Sequence, residues 1–126
     1  MPADYRIDRL KGVVYSRAWG VLTDQDLADN RAALFADPAF EPDLAQLYDF
    51  TDVSAIKVTS AALQRLALTS RFAPVALRAI VVSTDEAFGM ARMYSILSGR
   101  EETIQVFRDR ESAVRWLESG STRRPR

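Results

Sequence analysis

The chain has 126 residues, 48% hydrophobic and 27% charged; seventeen basic side chains balance seventeen acidic ones, and there is neither histidine nor cysteine. That is the size of one domain whose core needs no staple. The missing residue types exclude disulfides, thiolate nucleophiles, cysteine-ligated zinc or iron–sulfur centres, Ser-His-Asp triads and histidine-containing zinc sites. Zero net charge leaves no global positive field to hold nucleic-acid phosphates, so no nucleic-acid partner is expected. No apolar run approaches the roughly 18 residues of a membrane-spanning helix. Residues 1–6 lack the apolar core of a signal peptide, and a cytoplasmic protein is expected.

In chain order, residues 5–10 and 13–19 flank Lys11-Gly12 and read as two antiparallel strands joined by a tight turn. Thr23-Asp24-Gln25-Asp26 has the form of a capping box, predicting a helix to about Ala36 with Leu27, Ala28, Leu34 and Phe35 on its inner face. Pro38 and Pro42 stop it. Residues 44–50 form an apolar run that reads as a buried strand, followed by an acidic, hydroxyl-rich turn over 51–58. A second helix is predicted from Thr59 or Ser60 to about Ala73, ahead of Pro74, with Leu63 and Leu66 facing inward. Residues 78–83 read as an apolar strand, a helix follows from about Asp85 through Leu97, and Gly99 is placed to end it. Residues 103–107 form a last strand, and Asp109 caps a helix with Ala113, Val114 and Leu117 inside. Each strand followed by a helix is the crossover that parallel neighbours require. The expectation is an α/β domain over 1–118, with a mixed, mainly parallel sheet, an N-terminal antiparallel hairpin and four helices. Residues 119–126 are expected to form a disordered basic tail.

Three stretches carry a resemblance. They are Tyr48-Asp49-Phe50-Thr51-Asp52-Val53; Arg78-Ala79-Ile80-Val81-Val82 leading into Ala87-Phe88-Gly89-Met90-Ala91-Arg92-Met93-Tyr94; and Val106-Phe107-Arg108-Asp109 before a helix containing Trp116-Leu117. In this order the chain resembles the SpoIIAA-like family of small bacterial STAS/SEC14-type proteins, which have the fold of anti-sigma-factor antagonists. The resemblance implies that fold over nearly the whole chain. Antagonists of this fold carry an Asp-Ser-Ser-Gly turn whose second serine is phosphorylated; here Lys57-Val58-Thr59-Ser60 stands in its place. Thr59 falls on the phosphoacceptor position, with a lysine for the aspartate and Ser60 for the glycine. Thr59 and Ser60 are therefore candidate phosphoacceptors, and they are equally ordinary helix N-caps.

Asp49 and Asp52 form a candidate polar mouth, with Asp85 and Asp109 at the same end of the sheet. Carboxylates so grouped could hold a divalent cation, but turn and cap roles account for Asp52, Asp85 and Asp109, and neither metal nor cofactor is expected. On the third helix Ala87, Met90, Ala91, Tyr94 and Leu97 share the core stripe, while Phe88, Arg92 and Ile96 lie opposite. Gly89 inside that helix suggests close approach of another backbone or a packing need. On the second helix Leu68 and Phe72 point away from Leu63 and Leu66. Leu68, Phe72, Phe88, Arg92 and Ile96 thus mark a partner or ligand surface, unless neighbouring elements of the domain cover them. Arg92 with Tyr94 could orient an acidic group. Three functions follow: a non-enzymatic STAS-like interaction or regulatory module, homodimeric or bound to another protein; a small carrier or sensor of an apolar or acidic ligand, in the manner of SEC14-like domains; and an enzyme using Asp49 or Asp52 with Arg92. The second requires an internal cavity between sheet and helices, and the first a filled core.

Overall fold

Two long strands with period-2 patterning carry the fold. The computed structural model describes residues 2–123, with side chains to residue 120. Strand β1 (Ala3–Asp8) turns back through Gly12, at φ +68°, into β2 (Val13–Thr23), and α1 (Asp24–Ala36) leads to β3 (Ala45–Lys57). Helix α2 (Ser60–Leu68), β4 (Arg78–Val81), α3 (Asp85–Ser98), β5 (Ile104–Phe107) and α4 (Arg110–Arg123) complete the chain. The five strands lie in the order β1-β2-β3-β4-β5, with β1 and β2 antiparallel and every later pair parallel. This is the mixed α/β sheet that the alternation of elements predicts. No described helix is long and apolar enough to cross a membrane.

The pleat sorts the side chains onto two layers. Ala18, Leu22, Phe50, Ile80, Val82 and Ile104 pack with Leu27, Leu63, Ala87, Ala91 and Tyr94 from the α1–α3 layer. Ala45, Leu47, Ala79 and Val81 point the other way, onto Ala113 and Leu117 of α4. A third cluster at the end of the first layer joins Val14, Leu34, Phe40, Leu44, Phe72 and Ala76.

Several boundaries differ from the sequence reading. Residues 51–57 are strand, not turn: β2 continues past Trp19 and pairs Gly20 with Val53, Leu22 with Ile56 and Thr23 with Lys57. Register shifts between Arg17 and Trp19 and between Gly20 and Val21 make this possible, with Gly20 at φ +67° in a conformation that a side chain would resist. Burial of Leu22 and Val53 supports the extension. Helix α2 ends at Leu68 rather than near Ala73, and the Thr69 hydroxyl donates to the Arg65 carbonyl at 2.7 Å. Ending there lets Phe72 turn inward onto Phe35 and Phe40, which a continuous helix would prevent. On α1 the inner face uses Asn30, and Ala28 is exposed. Gly89 is exposed and a Cβ there would meet nothing within 4 Å, so no backbone approaches it. Helix α4 carries the chain through Ser119 to Arg123, and the rest of the expected basic tail, 124–126, lies outside the described residues.

Candidate functional site

Polar residues at three inward-facing positions of adjacent strands are unusual in an apolar layer, and here they line up. Register places Gln46 of β3 beside Arg78 of β4. Gln46 Nε2 donates to Ser16 Oγ of β2 at 3.1 Å, and Arg78 Nε donates to Gln46 Oε1 at 3.1 Å. This row floors a cavity of about 80 Å3 between the sheet and the α1–α3 layer. Its walls are Leu27, Asn30, Arg31 and Leu34 of α1, Leu63 and Leu66 of α2, and Met90, Ala91 and Tyr94 of α3, with Phe72 at the side.

Two guanidinium groups reach this space. Arg78 is only 8% exposed, and its charged group lies 4.4 Å from the centroid of Phe72 and 5.3 Å from that of Tyr94. Arg31 donates through Nη1 to the Leu66 carbonyl at the end of α2 and lies over Phe35. Arg78 Nη1 and Arg31 Nη2 are buried and make no hydrogen bond of normal geometry, although the Tyr94 hydroxyl lies near enough to both guanidinium groups to interact with each. Among the described residues no carboxylate pairs with either. Burial lowers the pKa of Arg31; Tyr94 opposes this, while Arg78 and Arg100 add repulsion. Burial also acts to raise the Tyr94 phenol, but the Arg78 and Arg31 charges together with hydrogen bonding to Arg78 and Ser98 outweigh it and lower the pKa. The third cation, Arg100, holds the Phe72 carbonyl at 2.9 Å.

The far side of the cavity is aromatic and apolar. Tyr48 and Phe50, two residues apart on β3, stack with centroids 4.3 Å apart and planes 15° from parallel. Asn30 Nδ2 donates to the Tyr48 hydroxyl at 2.9 Å. Burial pushes this phenol up to about 12, against the smaller lowering effect of the Asn30 hydrogen bond. The cavity therefore has a cationic end and an apolar body, and its lining contains no carboxylate.

The residues singled out in the sequence lie elsewhere. Thr59 is the exposed N-cap of α2; its oxygen accepts from the Ala62 amide at 3.1 Å and its hydroxyl donates to Asp24 Oδ2 at 2.8 Å. Ser60 follows it, also exposed. Asp49 accepts from the Thr51 amide and hydroxyl at 2.8 and 2.6 Å and has Arg110 Nη1 at 3.5 Å, while Asp52 is exposed; neither lines the cavity. Asp85 pairs with Arg108, Asp109 accepts from the Ser112 amide, and among the described residues no three carboxylates come together to hold a metal. Leu68 is 74% and Ile96 53% exposed, and Arg92 is exposed too. Phe88 is half-buried beneath the Arg108 guanidinium. Phe72 departs from the expected surface: it is 3% exposed, because the chain breaks helix before reaching it.

Sequence reasoning missed Arg31 and Arg78. The available signal was polar residues in apolar settings: Gln46 inside the run 44–50 and Arg78 at the head of an apolar strand share a strand face in the pleat.

No protein-family model and no curated protein matches the chain. Among solved structures it is similar to an uncharacterised protein of the DUF3478 family with a SpoIIAA-like fold from Shewanella loihica. The TM-score is 0.63 at 20% identity, over 91% of this chain and 93% of that one. The chain has the SpoIIAA-like fold.

Proposed function

We propose that this SpoIIAA-like domain is a non-catalytic regulatory module that binds a small organic anion in the cavity beneath α1–α3. The role rests on one observation: two guanidinium groups, each with one buried nitrogen that makes no hydrogen bond of normal geometry, line the same partly open pocket. An unsatisfied buried donor costs about 1–3 kcal/mol, and more when charged. A bound anion would satisfy both donors and offset the repulsion between the two cations. Carboxylates that could act as acid or base are absent from the cavity lining, which favours a sensor or carrier over an enzyme.

The test is a thermal-shift series with small organic acids at constant ionic strength, on the wild type and on Arg78→Met. A ligand at a hundred times its Kd adds about 2.7 kcal/mol, or roughly 10 °C for a chain of this length. A saturable rise in the wild type that Arg78→Met loses supports the proposal. No rise with any acid rejects it.

A second role, association with another protein or a second copy, is favoured by exposed Leu68 and Ile96 on the neighbouring helices α2 and α3, beside Arg92 and the half-buried Phe88. If the chain is a dimer through this side, Leu68→Glu with Ile96→Glu should give a folded monomer by sedimentation velocity. A dimer that survives both substitutions places the seam elsewhere.

A further inference from the structure

The geometry points to the outer edge of β1 as a seam between two copies of this chain, paired antiparallel about a two-fold axis at Tyr5 so that their sheets become one. The seam does not depend on the cavity and is separate from the α2–α3 side.

Strand β1, six residues long, pairs only with β2. In an antiparallel ladder every second residue turns its amide and carbonyl toward the neighbour. The Trp19 amide donates to the Pro2 carbonyl at 2.9 Å, and the register sets Asp4 beside Arg17 and Arg6 beside Tyr15, so the even-numbered residues face β2. Ala3, Tyr5 and Ile7 therefore turn their backbone groups outward, and among the described residues no backbone group outside the ladder bonds to them. Their side chains pack inward, Ala3 with the main core and Tyr5 and Ile7 with the cluster around Phe72. The other edge of the sheet offers less: β5 has four residues, and its Ile104 amide already donates to the Arg100 carbonyl at 2.8 Å.

Charge selects the partner and the register. Asp4 and Arg6 are exposed on the opposite face of β1, and charged side chains on an edge normally keep a second strand away. One register reverses that effect. Outward residues must meet outward residues, so a two-fold axis can pass at residue 4, 5 or 6. At 4 it sets Asp4 against Asp4; at 6 it sets Arg6 against Arg6 and Asp4 against Asp8. An axis at Tyr5 instead joins Ala3 to Ile7 and Tyr5 to Tyr5, and places Asp4 opposite Arg6 at both ends. The outward pairs then supply about six hydrogen bonds, and Asp4 and Arg6 fall on the close pairs, with Cα atoms about 4.5 Å apart.

Both side chains are free to take part. Arg6 lies over the Tyr15 ring at 4.3 Å, and among the described residues it has no carboxylate partner. Asp4 holds Arg17 at 2.8 and 2.9 Å, and a carboxylate can accept from a second guanidinium. On the helical side the Tyr5 hydroxyl donates to the Ala33 carbonyl at 3.2 Å, and Ala33 and Ala36 are exposed, so short side chains border the strand.

One strand pair buries less than the roughly 1,200 Å2 of a stable interface, so the dimer is a weak one. Sedimentation velocity of the full chain from about 5 µM to about 1 mM should show reversible dimerisation with a Kd on the order of 100 µM. Arg6→Asp and Asp4→Arg each put like charges opposite and should each weaken it at least about tenfold. An equimolar mixture of these two variants restores opposite charges at both pairs and should dimerise as the wild type does. A wild type that stays monomeric, single variants that dimerise unchanged, or a mixture no stronger than its components would overturn the inference. So would dissociation by Leu68→Glu with Ile96→Glu, which assigns the seam to the α2–α3 side.

The chain has no cysteine, so a second measurement reads the register without relying on charge. Asp4→Cys mixed with Arg6→Cys should form a disulfide-linked dimer on mild oxidation, because residues 4 and 6 are directly opposed. Neither variant alone should do so, since its two thiols lie diagonally, beyond disulfide reach. Single variants that cross-link as readily as the mixture, or a mixture that does not cross-link, would refute an axis at Tyr5.

Discussion

Replacing Phe72 by alanine tests whether this ring is core or surface. Phe72 is 3% exposed and meets Phe40 edge-on at 5.2 Å and Phe35 at 5.8 Å, with the Arg78 guanidinium 4.4 Å from its centroid. Truncating a buried phenylalanine costs about 3–5 kcal/mol, and edge-on aromatic pairs add about 0.5–1.5 kcal/mol each beyond their area. The side chain also borders the cavity, so part of the lost volume is already open and the cavity contribution is smaller. A loss of about 4 kcal/mol follows. With an unfolding entropy of roughly 2.1 cal/mol/K per residue, this is a fall of about 15 °C in Tm. The assay is equilibrium urea unfolding followed by the fluorescence of Trp19 and Trp116, with thermal melts in parallel. Leu68→Ala, at a side chain 74% exposed, is the control and should change stability by no more than about 0.5 kcal/mol. A Phe72→Ala loss below about 1 kcal/mol would refute the inward turn after α2 and return Phe72 to the surface.

Gly89→Ala should raise stability by about 1 kcal/mol, or roughly 4 °C, because the added methyl meets nothing and the unfolded chain loses freedom; a destabilised variant in the same melts would refute the open site. The same change at Gly120 should bring no such gain, since a Cβ there would lie 1.9 Å from Leu77 Cδ1 and that side chain must turn away. Thr59→Ala removes both the α2 cap and the tie to Asp24, and should cost about 1 kcal/mol in urea unfolding; phosphorylation at Thr59 would set a second negative group against Asp24, and a phosphorylated chain that melts higher than the unmodified one would contradict that placement. The Tyr48 phenol, held at about 12, stays neutral in the folded state while the unfolded chain ionises near 10. The folded state then binds more protons, so stability falls as pH rises between these values. Tyr48→Phe should flatten that slope in denaturation series at alkaline pH, and an unchanged slope would assign it to other groups.

The sequence was most legible where structure is local. The Thr23–Asp26 box, the proline stop after α1 and Gly99 at the end of α3 depend on neighbours within one helical turn, and each is found where the pattern puts it. Boundaries that depend on distant partners were not legible: residues 51–57 have the composition of a turn and become strand because β2 is long enough to pair with them. Phe72 fell on the wrong side for the same kind of reason, since a helical projection to Ala73 turns it outward while its aromatic partners come from residues 35 and 40.

The order of elements, and with it a mixed parallel sheet covered by helices, was determined by the sequence alone, because hydrophobic period and capping chemistry act over a few residues. The missing histidines and cysteines likewise settled which chemistries cannot occur. Only the tertiary structure decided where the buried charge lies. Arg31 on α1 and Arg78 on β4 share a cavity because the α1 crossover packs over the same sheet face on which Gln46 and Arg78 align. That meeting depends on strand order and register, long-range pairings that no local pattern of residues encodes.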